Sequence, residues 1–76
     1  MGATGMHDRK DQEIYTDDIV KVVDKTHPLY GKFYRVYWDE EKHKYEPFRT
    51  HKELEKHCLV IGNIYQHPTL LNRIST

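Results

Sequence analysis

The sequence has one cysteine, no long apolar run and no net charge. A single Cys, Cys58, among 76 residues excludes an intramolecular disulfide and suits a reducing compartment. No apolar stretch approaches the ~18 residues of a membrane span, and no signal-peptide pattern is visible. A cytoplasmic chain is therefore expected. Twelve basic residues balance twelve acidic ones. That balance argues against a strong non-specific nucleic-acid binder, which carries a basic excess, and against an acidic DNA mimic. Internal repeats and low-complexity segments are absent.

What is abundant is aromatic. Six Tyr, two Phe and one Trp serve a chain of single-domain length. So short a chain buries little surface on folding, so a few large side chains are expected to carry the interior. Charge is uneven. Residues 19–38 hold four basic groups and one acid, Asp24, whereas residues 1–18 hold two basic and five acidic groups.

The polar, aperiodic segment 1–12 reads as a flexible tail. Ile19 to Asp24 is β-branched and reads as a strand, with Val20 and Val22 inward and Lys21 outward. Thr26 to Lys32 holds Pro28 and Gly31 and reads as a loop, with Gly31 a candidate for positive φ. Phe33–Trp38 and His43–Phe48 read as a hairpin about the polar turn 39–42. Its even set Tyr34, Val36 and Trp38 is expected to face the core. Thr50 to Glu53 matches a capping box, which predicts a short helix over 51–57. Cys58 to Ile61 reads as a strand, and Pro68 as the start of a last helical turn. Residues 72–76 are expected to fray. The fold class expected is mainly β: a small SH3-like barrel or half-barrel of about five short strands with one short helix. Closure of that kind removes exposed strand edges.

Two segments resemble a known family. Glu13-Ile14-Tyr15-Thr16-Asp17-Asp18-Ile19-Val20-Lys21 and His57 to Leu71, with its Val60-Ile61-Gly62-Asn63-Ile64-Tyr65 centre, are similar to the opening and closing signatures of the C-terminal part of the phage YopX proteins. Val36 to Glu41 is similar to the hairpin between them. Asp17 departs from the pattern, standing where the family usually has Gly. The resemblance spans residues 13–71 and implies an SH3-like barrel, a phage or prophage origin, a bacterial cytoplasm and no catalytic activity.

Candidate chemistry is sparse. His51, His57 and Cys58 fall short of a zinc set, because one Cys stands without a second or an acidic cluster. His57 and Cys58 are adjacent on an extended segment and point to opposite faces, so they cannot easily share a proton. The pairs Asp17–Asp18 and Glu40–Glu41 read as solvated turn charges. No cofactor or metal is expected. The richest surface is Lys21 to Arg35, where basic groups alternate with aromatics. Lys25, His27, Leu29, Tyr30, Lys32 and Arg35 are its candidate binding residues. The first reading is a non-enzymatic module that binds a host or phage protein, in a regulatory or inhibitory role. The alternative is nucleic-acid binding through the basic–aromatic stripe at residues 21–35. Self-association through an open barrel edge is a third reading.

Overall fold

The apolar run that begins at Ile19 forms the centre of the molecule. In the computed structural model, which describes residues 2–74, Asp18–Val22 is a strand hydrogen-bonded on both sides. Among the described residues the strands in chain order are β1 (Ala3–His7), β2 (Glu13–Tyr15), β3 (Asp18–Val22), β4 (Phe33–Arg35), β5 (Tyr37–Asp39), β6 (Lys44–Glu46) and β7 (Cys58–Asn63). They make three small antiparallel sheets: β1–β2, β4–β3–β7 and β5–β6. The mainly β expectation holds, with seven strands rather than about five. The helical content is two 3-10 segments, Leu54–His57 and Pro68–Arg73.

Val20 and Val22 face inward as expected, and Ile19 is buried as well. A register shift between Ile19 and Val20 in the β3–β7 ladder allows both neighbours to be covered. The core cluster is Ile14, Val20, Val22, Val36, Phe48, Leu54 and Cys58. It is aliphatic, with Phe48 its one fully packed aromatic, so the expectation of an aromatic interior fails. Tyr34 packs on the cluster from its edge, whereas Trp38 is 43% exposed. Trp38 misses the core because the expected strand 33–38 is two strands. Val36 sits at the break, with its N–H on the Asp18 carbonyl and its carbonyl accepting from the Asp17 N–H. β4 therefore pairs with β3, while β5 turns away to pair with β6.

The expected tail is also structured. In β1, Thr4 and Met6 point inward and their neighbours outward, a period-2 pattern hidden by its polar composition. The Thr4 hydroxyl donates to the Ile14 carbonyl at 2.7 Å, and Met6 packs on the core. Buried Asp8 then ties this end down. Its Oδ1 accepts from the N–H groups of Lys10 and Gln12, and its Oδ2 from that of Val60 in β7, each at 2.9 Å.

The capping box does not form. The Leu54–His57 segment is preceded by Glu53 at φ 61°, with no side-chain cap. Thr50 is held elsewhere: its N–H and hydroxyl both donate to the buried Glu46 carboxylate, which also takes the Arg49 N–H at 2.9 Å and the Lys42 ammonium at 3.2 Å. Glu46 thus satisfies the backbone of the turn that follows β6, and the helix start is lost to it. The last helical turn is found, with Pro68 at its start. Of the residues expected to fray, 72–74 are described, with Ile74 bridged to Phe33, and 75–76 lie outside the described residues.

Candidate functional site: an aromatic cleft and a divided basic stripe

The loop between β3 and β4 is a series of tight turns. The N–H groups of His27, Tyr30 and Lys32 donate to the carbonyls of Asp24, His27 and Leu29. Gly31 has φ 85°, the conformation expected of it. Asp24 holds the first turn through the N–H and hydroxyl of Thr26. Those donors, with His57 Nδ1 at 2.7 Å, hold its carboxyl well below the usual range. His27 takes the Leu29 N–H on Nδ1 and lies with its ring 4.8 Å from that of His57.

The structure divides the candidate residues into groups. Leu29 turns inward onto the core. His27 is half-buried against His57. Tyr30, 50% exposed, and Lys32 stand outward on the loop. Lys25 lines a depression with Arg9, Lys10 and Asp24, which brings it beside two cations of the segment expected to be a tail. Lys21 lies over the Phe33 ring, 5.5 Å from its centroid. Arg35 is at the far end of β4, opposite Ile19, and is turned to Asp17. The stripe at 21–35 is therefore not one continuous surface.

Arg35 belongs instead to a cleft of about 520 Å³. One side comes from Tyr34, Arg35 and Tyr37 at the junction of β4 and β5. The turn after β6 supplies Pro47 and His51, and the C-terminal 3-10 segment supplies Leu71 and the adjoining Ile74. The Tyr34 and His51 rings are 5.9 Å apart. The C-terminal segment is held in place from β4. Ile74 bridges Phe33, and the Arg73 guanidinium lies 6.0 Å from the Phe33 centroid. Lining atoms are mainly apolar, with hydroxyl, imidazole and guanidinium groups at intervals, the composition usual in recognition clefts.

Asp17 fixes the Arg35 side of this cleft. It has φ 71°, a conformation that glycine adopts freely and aspartate tolerates. The resemblance described above leads to the expectation of Gly at this position, and the aspartate puts a carboxylate there. Arg35 donates to Oδ1 from Nε and Nη2, at 3.0 and 2.8 Å, and the Tyr65 hydroxyl donates to Oδ2 at 3.0 Å. Partial burial pushes the Asp17 carboxyl up, but the Arg35 and Tyr65 bonds outweigh it and leave it lowered. The same bond raises the Tyr65 phenol. Tyr65 comes from the closing signature and is 63% exposed. The end of β7 supports its turn: Asn63 Oδ1 accepts the Tyr65 and Gln66 N–H groups. Beside it, a Cβ at Gly62 would stand 2.5 Å from His67 Nδ1 and 2.8 Å from its Cγ, so the exposed His67 ring would have to move.

Cys58 is fully buried, and burial, then the charges of Glu55 and Asp8, pushes its thiol up to about 12. Among the described residues no group of three His, Cys, Asp or Glu is placed to hold a metal ion. No helix among them is long and apolar enough to cross a membrane.

Sequence reasoning missed Tyr37, the half-buried His51 and Leu71 as residues of a surface cleft, and the buried Pro47 as part of its floor. Tyr37 and Leu71 are each 44% exposed. Arg35 was the one cleft residue among the candidate binding residues. A signal was available for Leu71: it follows Pro68 in a segment too short to bury all its apolar groups.

In comparison with known proteins, the family model described as YopX protein matches residues 1–72. No curated protein matches the chain in sequence.

Proposed function

We propose that this chain, which belongs to the YopX family, is a non-enzymatic interaction module that binds another protein through the Tyr37–His51–Leu71 cleft. The observation that carries the reading is the placement of the aromatics. A chain this small would be expected to hide its rings, yet Tyr15, Tyr30, Tyr37, Trp38 and Tyr65 are all more than a third exposed. Exposed Tyr and Trp beside an apolar cleft and an oriented Arg are the composition of interface anchors. Tyr37, Tyr65, Leu71 and Arg35 meet that description together, since Arg35 and Tyr65 share Asp17 and Arg35, Tyr37 and Leu71 share the cleft.

The lack of enzymatic activity draws support from the same geometry. Cys58 is sealed in the core as a neutral thiol. The Asp17, Asp24 and Glu46 carboxylates are occupied by turn donors and ion pairs, which is structural work. A phage or prophage origin, action in the bacterial cytoplasm and a regulatory or inhibitory role complete the proposal.

Affinity capture from bacterial lysate tests it, with the chain and a Tyr37→Ala/Leu71→Asp variant run in parallel, each with and without nuclease treatment. A stoichiometric protein retained by the first and lost by the second is expected. Equal capture by both would place the contact elsewhere. Recovery of nucleic acid alone, removed by nuclease, would replace the reading.

A further inference from the structure

Strand alternation gives the β5–β6 hairpin two faces. Tyr37 and Glu46 are cross-strand partners on the cleft side, and Trp38 and Tyr45 are partners on the other. The second face carries a separate depression of about 380 Å³. Trp38 lies there with Tyr45 at 4.8 Å and His43 at 6.4 Å between ring centroids, with interplanar angles of 67° and 65°. Neither neighbouring ring stacks parallel on the indole.

The charges that line this depression are of one sign. Arg49, after Phe48, lines it, Lys44 reaches its rim from the cleft side of the hairpin, and no carboxylate lines it. Among the described residues neither Lys44 nor Arg49 has an ion-pair partner, in contrast to Arg35, Lys42 and Lys56. The nearest acids belong to the turn. Asp39 is occupied by the Glu41 and Lys42 N–H groups, and Glu40 and Glu41 are exposed outside the depression.

We propose that this face binds single-stranded nucleic acid, with an unpaired base against Trp38 and the flanking phosphates on Arg49 and Lys44. An exposed indole framed by further rings gives a planar base a stacking partner, and cations without partners beside it suit the phosphate backbone. An acidic peptide without apolar or aromatic side chains would use the cations alone, whereas a nucleotide uses ring and cation together. The site is independent of the protein-binding cleft, which lies on the opposite face of the same hairpin. It is also different from the stripe at 21–35. The acidic turn limits the contact to one or two nucleotides, so modest affinity with a shallow but measurable salt dependence is expected.

Trp38 is the one tryptophan of the chain, so its fluorescence reports directly. The probe is a short oligothymidylate at low salt, read by quenching for the intact chain and by anisotropy of a labelled oligonucleotide for variants. Saturable quenching is expected, with a log–log salt slope of about −1.4 for two phosphates on a single strand. Trp38→Ala should weaken binding roughly 5- to 150-fold, the effect of losing one stacked base. Trp38→Phe, which keeps a ring, should retain most of the binding and guards against a folding defect. Arg49→Ala should lower the slope by about 0.7. Absence of quenching overturns the proposal. So does polyglutamate binding that matches the oligonucleotide's, or an affinity that Trp38→Ala leaves unchanged while the variant unfolds like the parent.

Discussion

Glu46→Gln isolates one side chain that shapes the cleft. The carboxylate is 2% exposed and accepts two backbone N–H groups, a hydroxyl and an ammonium. Burial pushes its carboxyl up, but the Thr50, Lys42 and Arg49 donors prevail and hold it at about 2 against an ordinary 4.5. Each tenfold change in proton affinity is about 1.4 kcal/mol, which sets a ceiling near ~3 kcal/mol for the ionised form. Glutamine keeps one acceptor oxygen for the Arg49 and Thr50 N–H groups and loses the charge that strengthens all four contacts. Bonds to a charged partner are worth about 1.5–3 kcal/mol and neutral ones about 0.5–1.5. Arg49 and Thr50 are themselves exposed, so water replaces part of the loss. A net destabilisation of about 2 kcal/mol is expected, a large share of the roughly 4–11 kcal/mol available to a domain of this size. The sign with pH follows from the lowered value. Stability from this carboxylate is complete above about pH 4.5 and is lost as pH falls toward 2. Asp18, raised by its burial and by the Asp17 charge, behaves oppositely, but it is common to both proteins and cancels in the difference. Urea unfolding followed by circular dichroism at pH 7, 4 and 2.5 measures it. A gap between the proteins that is the same at all three pH values would refute the reasoning, as would no gap at pH 7.

Further outcomes rest on other carboxylates and on the thiol. Asp8→Asn puts an amide donor against one of three backbone N–H groups, and thermal unfolding should show a loss of about 1–3 kcal/mol. A tail without structure would show none. Asp17→Asn removes the charge that raises the Tyr65 phenol, so an NMR titration should find Tyr65 ionising at lower pH than in the parent. Stability should change little, since exposed ion pairs are worth about 0–1 kcal/mol. Cys58 should resist a thiol reagent at pH 8 in the folded chain and react promptly in urea, because its thiol is both covered and pushed up to about 12.

Much of the fold could be read from residue pattern where composition and burial agree. Val20, Val22 and Cys58 are apolar, sit in β-type runs and are core. Gly31 and Pro68 carry backbone preferences that act locally, and both stand as expected. Pattern failed where a polar side chain works as scaffold. Asp8 and Glu46 look like surface charges in sequence. Each is buried because several N–H donors converge on it, from as far away as Val60 in the case of Asp8. That convergence also misled the reading of Thr50, which has a cap's identity but a stronger acceptor nearby. Trp38 was misplaced because the strand break at Val36 is set by pairing with β3, a long-range event. The cleft was illegible for the same reason. Its residues come from three separated segments, and only the C-terminal segment's hold on Phe33 brings Leu71 to Tyr37.

The most direct test of the central claim is an amide chemical-shift map of the isotope-labelled chain as the captured protein partner is added. The expected perturbations centre on Tyr34, Tyr37, His51 and Leu71, with Arg35 and Tyr65 following through Asp17. Perturbations confined to Lys25, His27, Tyr30 and Lys32 would contradict the account and return the interface to the loop between β3 and β4.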